Sequence, residues 1–178
     1  FIKQKPYHAA LAQFSGGEPT LWKDKKAGKD LVDLVAKAKE LGYPHRMVNT
    51  NGIVMSKDLD FCRRLKEAGC EAIYLSFDAC GPNAPEVYKQ IRGVDLTNLK
   101  KKVIQNCREA KLDGIMLVVT VVKGVNDKEV EHILNFARDN NDVVAGIVFQ
   151  PVSLCGRITM EEVKSLRYTN SDLQAEIA

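Results

Sequence analysis

Ile115-Met116-Leu117-Val118-Val119-Thr120-Val121-Val122 runs straight into Lys123-Gly124-Val125-Asn126-Asp127, and then into Val130, Ile133, Leu134 and Ala137 at helical spacing. This stretch decides the fold class. The first eight residues are nearly continuous in apolar, β-branched side chains, the pattern of a strand buried on both faces. The next five favour a turn. Asn126 and Glu129 then offer a capping box that opens the helix. The unit is strand, loop, helix.

The same unit recurs on both sides. Further strands are expected over Ala9–Phe14, Met47–Asn49, Ala72–Phe77 and Val143–Phe149. Helical stripes lie between them. Leu31, Leu34, Val35, Ala38 and Leu41 form one, stopped by Gly42. Leu59, Cys62, Leu65 and Ala68 form another, with Ser56 as its N-cap and Gly69 as its stop. Leu96, Leu99, Val103, Cys107 and Ala110 form a third. A short helix is expected from Thr159, with Glu162 closing a capping box. Regular β-α alternation predicts a parallel sheet built from right-handed crossovers.

Composition agrees and excludes alternatives. At 178 residues the chain suits one domain, or most of one, and 45% hydrophobic with 28% charged residues is ordinary for a globular protein. No apolar run approaches the roughly 20 residues of a membrane span. A net charge of +3 is too slight to argue for nucleic acid. The five cysteines, Cys62, Cys70, Cys80, Cys107 and Cys155, contain no C-x-x-C pair. That usage suits a reducing, cytoplasmic setting, with Cys62, Cys70 and Cys107 as small core hydrophobes. The start at Phe1 resembles neither a signal nor a transit peptide and reads as an excerpt of a longer protein.

In parallel α/β folds, function collects where strands end at their carboxyl side. Those loops are Ser15-Gly16-Gly17-Glu18-Pro19-Thr20, Thr50-Asn51-Gly52, Asp78-Ala79-Cys80-Gly81, Lys123 through Asp127, and Gln150-Pro151-Val152-Ser153. They are rich in Gly, Asn, Asp and Ser, whereas the turns at the opposite ends read as plain helix stops. Two glycines after a strand permit close backbone approach, and Glu18 places a carboxylate there that suits an ammonium group. Taken alone, this loop is equally a turn with a solvated glutamate. Thr50-Asn51-Gly52 suits a turn with a left-handed Asn. Ser76 and Asp78, two apart on a strand, point to one side and suit a hydroxyl-rich group, or else cap a helix. Lys123 is either a cation for an anionic ligand or a surface lysine.

Taken in order, Gly-Gly-Glu-Pro, Asn-Thr-Asn-Gly, Ser-Phe-Asp and Lys-Gly-Val-Asn-Asp, each ending a successive strand, resemble the radical S-adenosylmethionine superfamily over about Ala9 to Pro151. Tyr88-Lys89-Gln90-Ile91-Arg92-Gly93 and Phe149-Gln150-Pro151-Val152-Ser153, with Gly156-Arg157-Ile158-Thr159 after them, look like the group of tetraether lipid synthase and pterin dimethyltransferase-like enzymes. The resemblance implies an α/β fold, a partial (β/α)6 TIM-like barrel of parallel strands with its first βα unit missing here. It implies a core over 1–157 and the start of a C-terminal extension over 158–178.

It also implies S-adenosylmethionine and a [4Fe-4S] cluster. The cofactor would be cleaved reductively to a 5′-deoxyadenosyl radical that abstracts hydrogen from a substrate carbon, leading to C–C bond formation or methylation of a lipid or pterin. Ferredoxin or flavodoxin would donate the electron. By position, Gly16, Gly17 and Glu18 would hold the methionine ammonium. Ser76 and Asp78 would lie near the ribose or carboxylate, beside Asn49, Thr50 and Asn51. Val118, Thr120 and Gln150 would flank the adenosine, and Lys123 would reach substrate or cofactor. The family's C-x-x-x-C-x-x-C loop is not in this sequence, and the separation of Cys80 from Cys155 does not match it. No metal ligand is therefore assigned. The other class of reading is a barrel module without a cluster that only binds a nucleoside or serves a structural role. A C-x-x-x-C-x-x-C upstream of Phe1 in the parent gene would decide for the enzyme.

Overall fold

The computed structural model describes residues 9–153 and 159–177. Five strands form one sheet in the order β1 (Leu11–Phe14), β4 (His45–Thr50), β5 (Ala72–Ser76), β6 (Ile115–Val121) and β7 (Val144–Pro151), every neighbour parallel. Helices fill the crossovers. They are α1 (Leu31–Glu40), α2 (Ile53–Lys57) with α3 (Leu59–Glu67), α4 (Ala84–Arg92) with α5 (Thr97–Glu109), and α6 (Val130–Asp139). Two further helices follow, α7 (Met160–Leu166) and α8 (Asn170–Ile177). The expected fold class is the one observed. A two-stranded antiparallel hairpin, β2 (Lys23–Asp24) with β3 (Lys29–Asp30), was not foreseen in its polar sequence.

The strands are not buried on both faces as expected. Burial alternates strictly along β6. Ala12, Phe14, Val48, Ile73, Leu75, Ile115, Leu117 and Val119 meet the helices and are at most 9% exposed. Gln13, Asn49, Tyr74, Ser76, Val118 and Gln150 lie on the other face, which stays partly open. The apolar run in β6 persists because Met116 and Val118 are half-buried there. On the helix side, Leu31 and Val35 of α1, Cys62 and Leu65 of α3, Val103 and Cys107 of α5 and Ile133 of α6 complete one core. Full burial of each such large side chain contributes about 1.5–3 kcal/mol. Cys62, Cys70 and Cys107 are core residues as expected. Tyr168 and Leu173, beside and within α8, join the same cluster. The expected boundary at 157 lies outside the described residues, as do Cys155, the Gly156–Ile158 motif and the side chain of Glu162.

Helix ends follow the sequence in part. Gly42 and Gly69 stop their helices with φ of 80° and 92°. The N-cap of α3 is Asp58, which accepts from the Phe61 amide at 2.9 Å, and not Ser56, which lies inside α2. The capping box expected of Asn126 and Glu129 does not form, because Asn126 Oδ1 accepts from the Val122 amide at 2.7 Å and the Glu129 carboxylate is drawn to a neighbouring loop. In the Asn51-Gly52 turn it is Gly52, not Asn51, that adopts positive φ, at 79°. A Cβ on Gly52 would stand 2.8 Å from Leu75 and 2.9 Å from Val103. Left-handed strain of about 1–2 kcal/mol adds to overpacking of about 1–3. Gly52→Ala is therefore expected to lose about 2–5 kcal/mol in urea unfolding. Gly124→Ala, at φ 74° with open space around it, should lose only the strain, and equal losses in the two variants would contradict this packing.

Candidate active site

A cleft of about 390 Å3 opens where the strands end at their carboxyl side. Gly16, Gly17, Glu18, Asn49, Thr50, Asn51, Ser76, Val118 and Gln150 all line it, as do Gln13, Ser15, Tyr74 and Arg92. Gly16 and Gly17 adopt φ of 93° and 52°, and nothing lies within 4 Å of where their Cβ atoms would be. The loop thus turns as only glycine readily does, with bare backbone toward the opening.

Glu18 is more engaged than its sequence position suggests. Its Oε1 accepts from the Thr20 amide at 3.2 Å, the Thr20 hydroxyl at 2.6 Å and the Thr50 hydroxyl at 2.6 Å. Its Oε2 accepts from the Asn51 amide at 2.8 Å. One carboxylate therefore caps the 3-10 turn over Pro19–Leu21 and ties the loop after β1 to the end of β4. The remaining lone pair on Oε2 is what it offers to a ligand. Beside it, Gln13 donates to Asn49 at 3.1 Å across the two strands.

Asp78 is corrected. Its side chain is 0% exposed and lies outside the cleft lining. Arg92 of α4 donates to it through Nε at 2.8 Å and Nη2 at 3.2 Å, and the Thr120 amide donates at 3.3 Å. The Asp78 amide donates to the Tyr88 hydroxyl at 3.2 Å, and the Asn126 side chain donates to the Asp78 carbonyl at 3.0 Å. Burial, with Asp78 second, pushes the Tyr88 phenol up, so it stays neutral. Glu129 accepts from the amides of Cys80 and Gly81 at 2.9 and 2.7 Å. These bonds divert Glu129 from the helix cap, as the Val122 amide diverts the Asn126 oxygen. Asp78 is the anchor of a buried network, and Arg92 is the group that reaches the cleft. The hydrogen bond to Asp78 is the main reason that Arg92 is held more firmly protonated than a free arginine.

Thr120 and Lys123 lie apart as well. Thr120 contributes its backbone to that network and does not line the cleft. Lys123 is exposed and outside the lining, with its charge acting on Asp172 of α8. Sequence reasoning missed Arg92, Gln13, Tyr74 and Lys100. A signal existed for three of them. Gln13 interrupts an apolar strand, Tyr74 lies two before Ser76, and Lys100 occupies an apolar register between Leu96 and Val103. Arg92 lay in the Tyr88–Gly93 motif of the family resemblance, but nothing in that motif assigned it to the site, since α4 was not foreseen behind Pro82 and Pro85. Lys100 is 1% exposed beneath the cleft floor.

The described residues do not fit an iron–sulfur cluster. No group of three His, Cys, Asp or Glu among them is arranged to hold a metal. Three of the described cysteines are closed in the core, and burial, then Glu129, pushes the Cys80 thiol up to about 12. The cleft fits S-adenosylmethionine better. It sets an acidic group, a glycine backbone, an arginine and a hydroxyl around one opening, matching an amino acid's two charges.

A model of the Radical SAM superfamily matches residues 2–137. The 7,8-dihydro-6-hydroxymethylpterin dimethyltransferase of Methanocaldococcus jannaschii is 42% identical over 160 residues, which is 90% of this chain and 30% of that protein. A probable GTP 3′,8-cyclase of Sulfolobus acidocaldarius is 30% identical over 145 residues, 80% of this chain and 42% of that one. The chain therefore spans less than half the length of these relatives. Among solved structures, the coproporphyrinogen III oxidase HemN of Escherichia coli, a radical SAM enzyme, superposes with a TM-score of 0.61 at 14% identity. The match covers 99% of this chain and 42% of that one. At that identity the likeness speaks for the fold.

Proposed function

The chain belongs to the radical SAM superfamily, and on that premise we propose that its cleft holds S-adenosylmethionine in an enzyme that methylates, or joins carbon to, a pterin-like or lipid substrate. The family uses S-adenosylmethionine with a [4Fe-4S] cluster. The observation that carries the reading is that one lining contains both an acidic and a basic group. Glu18 with the Gly16-Gly17 backbone follows β1, and Ser76 of β5 with Arg92 of α4 completes the same lining. In this reading the free lone pair of Glu18 and the glycine carbonyls accept from the methionine ammonium. Arg92 and Ser76 donate to the carboxylate. Asn49 and Gln13 line the cavity, and Val118 and Gln150 bracket the adenosine. S-adenosylmethionine held here would, on taking one electron from a cluster supplied outside the described residues and reduced by a donor such as ferredoxin or flavodoxin, split into methionine and a 5′-deoxyadenosyl radical. The chain's share is to orient it and exclude water.

The pterin preference draws support from the name of the 42% identical relative. No helix among the described residues is long and apolar enough to cross a membrane. Because the described residues do not fit the cluster, this chain by itself is expected to bind the cofactor without cleaving it. The test is therefore made on the longer parent protein with its cluster reconstituted: equilibrium dialysis with labelled S-adenosylmethionine, then anaerobic reduction and mass spectrometry for 5′-deoxyadenosine, with and without a hydroxymethyl-dihydropterin. Binding, and cleavage that rises with the pterin, is the expected result. Binding without cleavage would instead uphold a module that only holds a nucleoside, and no binding would remove the cleft from consideration.

A further inference from the structure

We propose that Lys100 is a positioning residue for this cleft: from beneath its floor it grips the Asn51 carbonyl and the Ser76 hydroxyl, and so turns the Ser76 proton outward as a donor for a carboxylate. The proposal rests on the reading that the cleft takes S-adenosylmethionine.

The geometry is unusual for a lysine. Lys100, on α5, is 1% exposed. Its Nζ donates to Asn51 O at 2.7 Å and to Ser76 Oγ at 3.1 Å. Both partners are neutral, although a buried ammonium is costly unless charge compensates it. Both partners line the cleft and Lys100 does not. Its charge therefore sits one layer below the opening, where an anion above would offset it.

The hydroxyl carries the effect upward. Ser76 Oγ has one proton and two lone pairs. With a lone pair given to Lys100, its proton cannot point down at Nζ and is free to serve the cleft. A cation behind a hydroxyl also strengthens it as a donor. Arg92 bonds Asp78 through Nε and Nη2, which leaves Nη1 for the same cleft. Ser76 and Arg92 then form a two-donor set for one carboxylate. Asn51 is immobilised three ways, by Glu18 at its amide, Lys100 at its carbonyl and the Ile53 amide at its side chain.

This role has a pH signature. Burial brings Lys100 down to about 8; Asp78 at the end of β5 and Glu18 after β1 oppose that fall, and Arg92 on α4 adds to it. Above that pH the neutral amine no longer supports an anion in the cleft. A lysine serving only the fold would show the opposite trend, and in stability alone. Its burial cost is present below about 8 and is relieved as pH rises toward the ordinary lysine value of about 10.4.

The test is calorimetric titration of the protein with S-adenosylhomocysteine and with 5′-methylthioadenosine, which lacks the carboxylate and amine, from about pH 7 to about pH 9. The homocysteine amine titrates alike in every variant, so differences belong to the protein. Lys100→Met should weaken S-adenosylhomocysteine about tenfold at the lower pH, and its loss of affinity with rising pH should be shallower than that of the wild type. Its affinity for 5′-methylthioadenosine should stay within about twofold. Ser76→Ala, which leaves the lysine and the fold in place, should do the same if Lys100→Met fails to fold. Variants that track the wild type on both ligands, or lose both ligands equally, overturn the proposal. A wild type that binds neither nucleoside overturns the cleft reading itself.

Discussion

Glu18→Ala should cost the protein about 2–3 kcal/mol in urea unfolding and weaken S-adenosylhomocysteine more than a hundredfold. Four donors lose their acceptor at once: the Thr20 amide and hydroxyl, the Thr50 hydroxyl and the Asn51 amide. Thr20 and Thr50 are each 6% exposed. A buried donor left unsatisfied costs about 1–3 kcal/mol, and water entering from the cleft recovers part of that. Binding suffers further because the ammonium partner and the set of the Thr50-Asn51 turn go together. Glu18→Gln separates these effects. It retains an oxygen for the three bonds at Oε1 but turns an amide NH2 toward the Asn51 N–H. A loss of about 1–2 kcal/mol and ten- to a hundredfold in affinity is expected. Unchanged affinity in both variants would remove Glu18 from the site.

Asp78→Asn should cost about 2–3 kcal/mol. Breaking a buried pair from one side costs about 3–5 kcal/mol, and Arg92, at 38% side-chain exposure, recovers some of this by turning to water. Affinity should fall about tenfold, because Asn retains one acceptor oxygen but turns an NH2 toward the guanidinium, which loses one of the two bonds that aim it together with the opposite charge. Arg92→Met should be worse for stability, since it strands a fully buried carboxylate. Asp78→Asn that changed affinity with no loss of stability would mean that Asp78 faces the ligand, as its place after Ser76 had suggested.

That contrast marks where sequence is legible in this fold. The strands and the Gly42 and Gly69 stops depend on local patterning, and local patterning is what a sequence displays. The loops that gather at the cleft follow from topology alone, so most lining residues could be named from the alternation and the family motifs. The burial of Asp78 was not legible because it depends on α4, and Pro82 before that helix and Pro85 in its first turn read together as loop. Asn126 and Glu129 failed for a related reason. Their spacing fits a capping box, but the amides of Cys80 and Gly81, some fifty residues away in the chain, take the Glu129 carboxylate, and the Val122 amide takes the Asn126 oxygen. Lys100 lay within an apolar helical register, where only its partners on β4 and β5 explain a charge.

A crystal structure with S-adenosylhomocysteine bound tests the central claim most directly. The account requires the ligand ammonium within hydrogen-bond distance of Glu18 Oε2 and the Gly16-Gly17 backbone. Its carboxylate should lie on Arg92 and Ser76, and its adenosine along Val118 and Gln150. A ligand seated outside this cleft, or one bound with its adenosine against Gly16-Gly17 and its carboxylate turned away from Arg92, would contradict it.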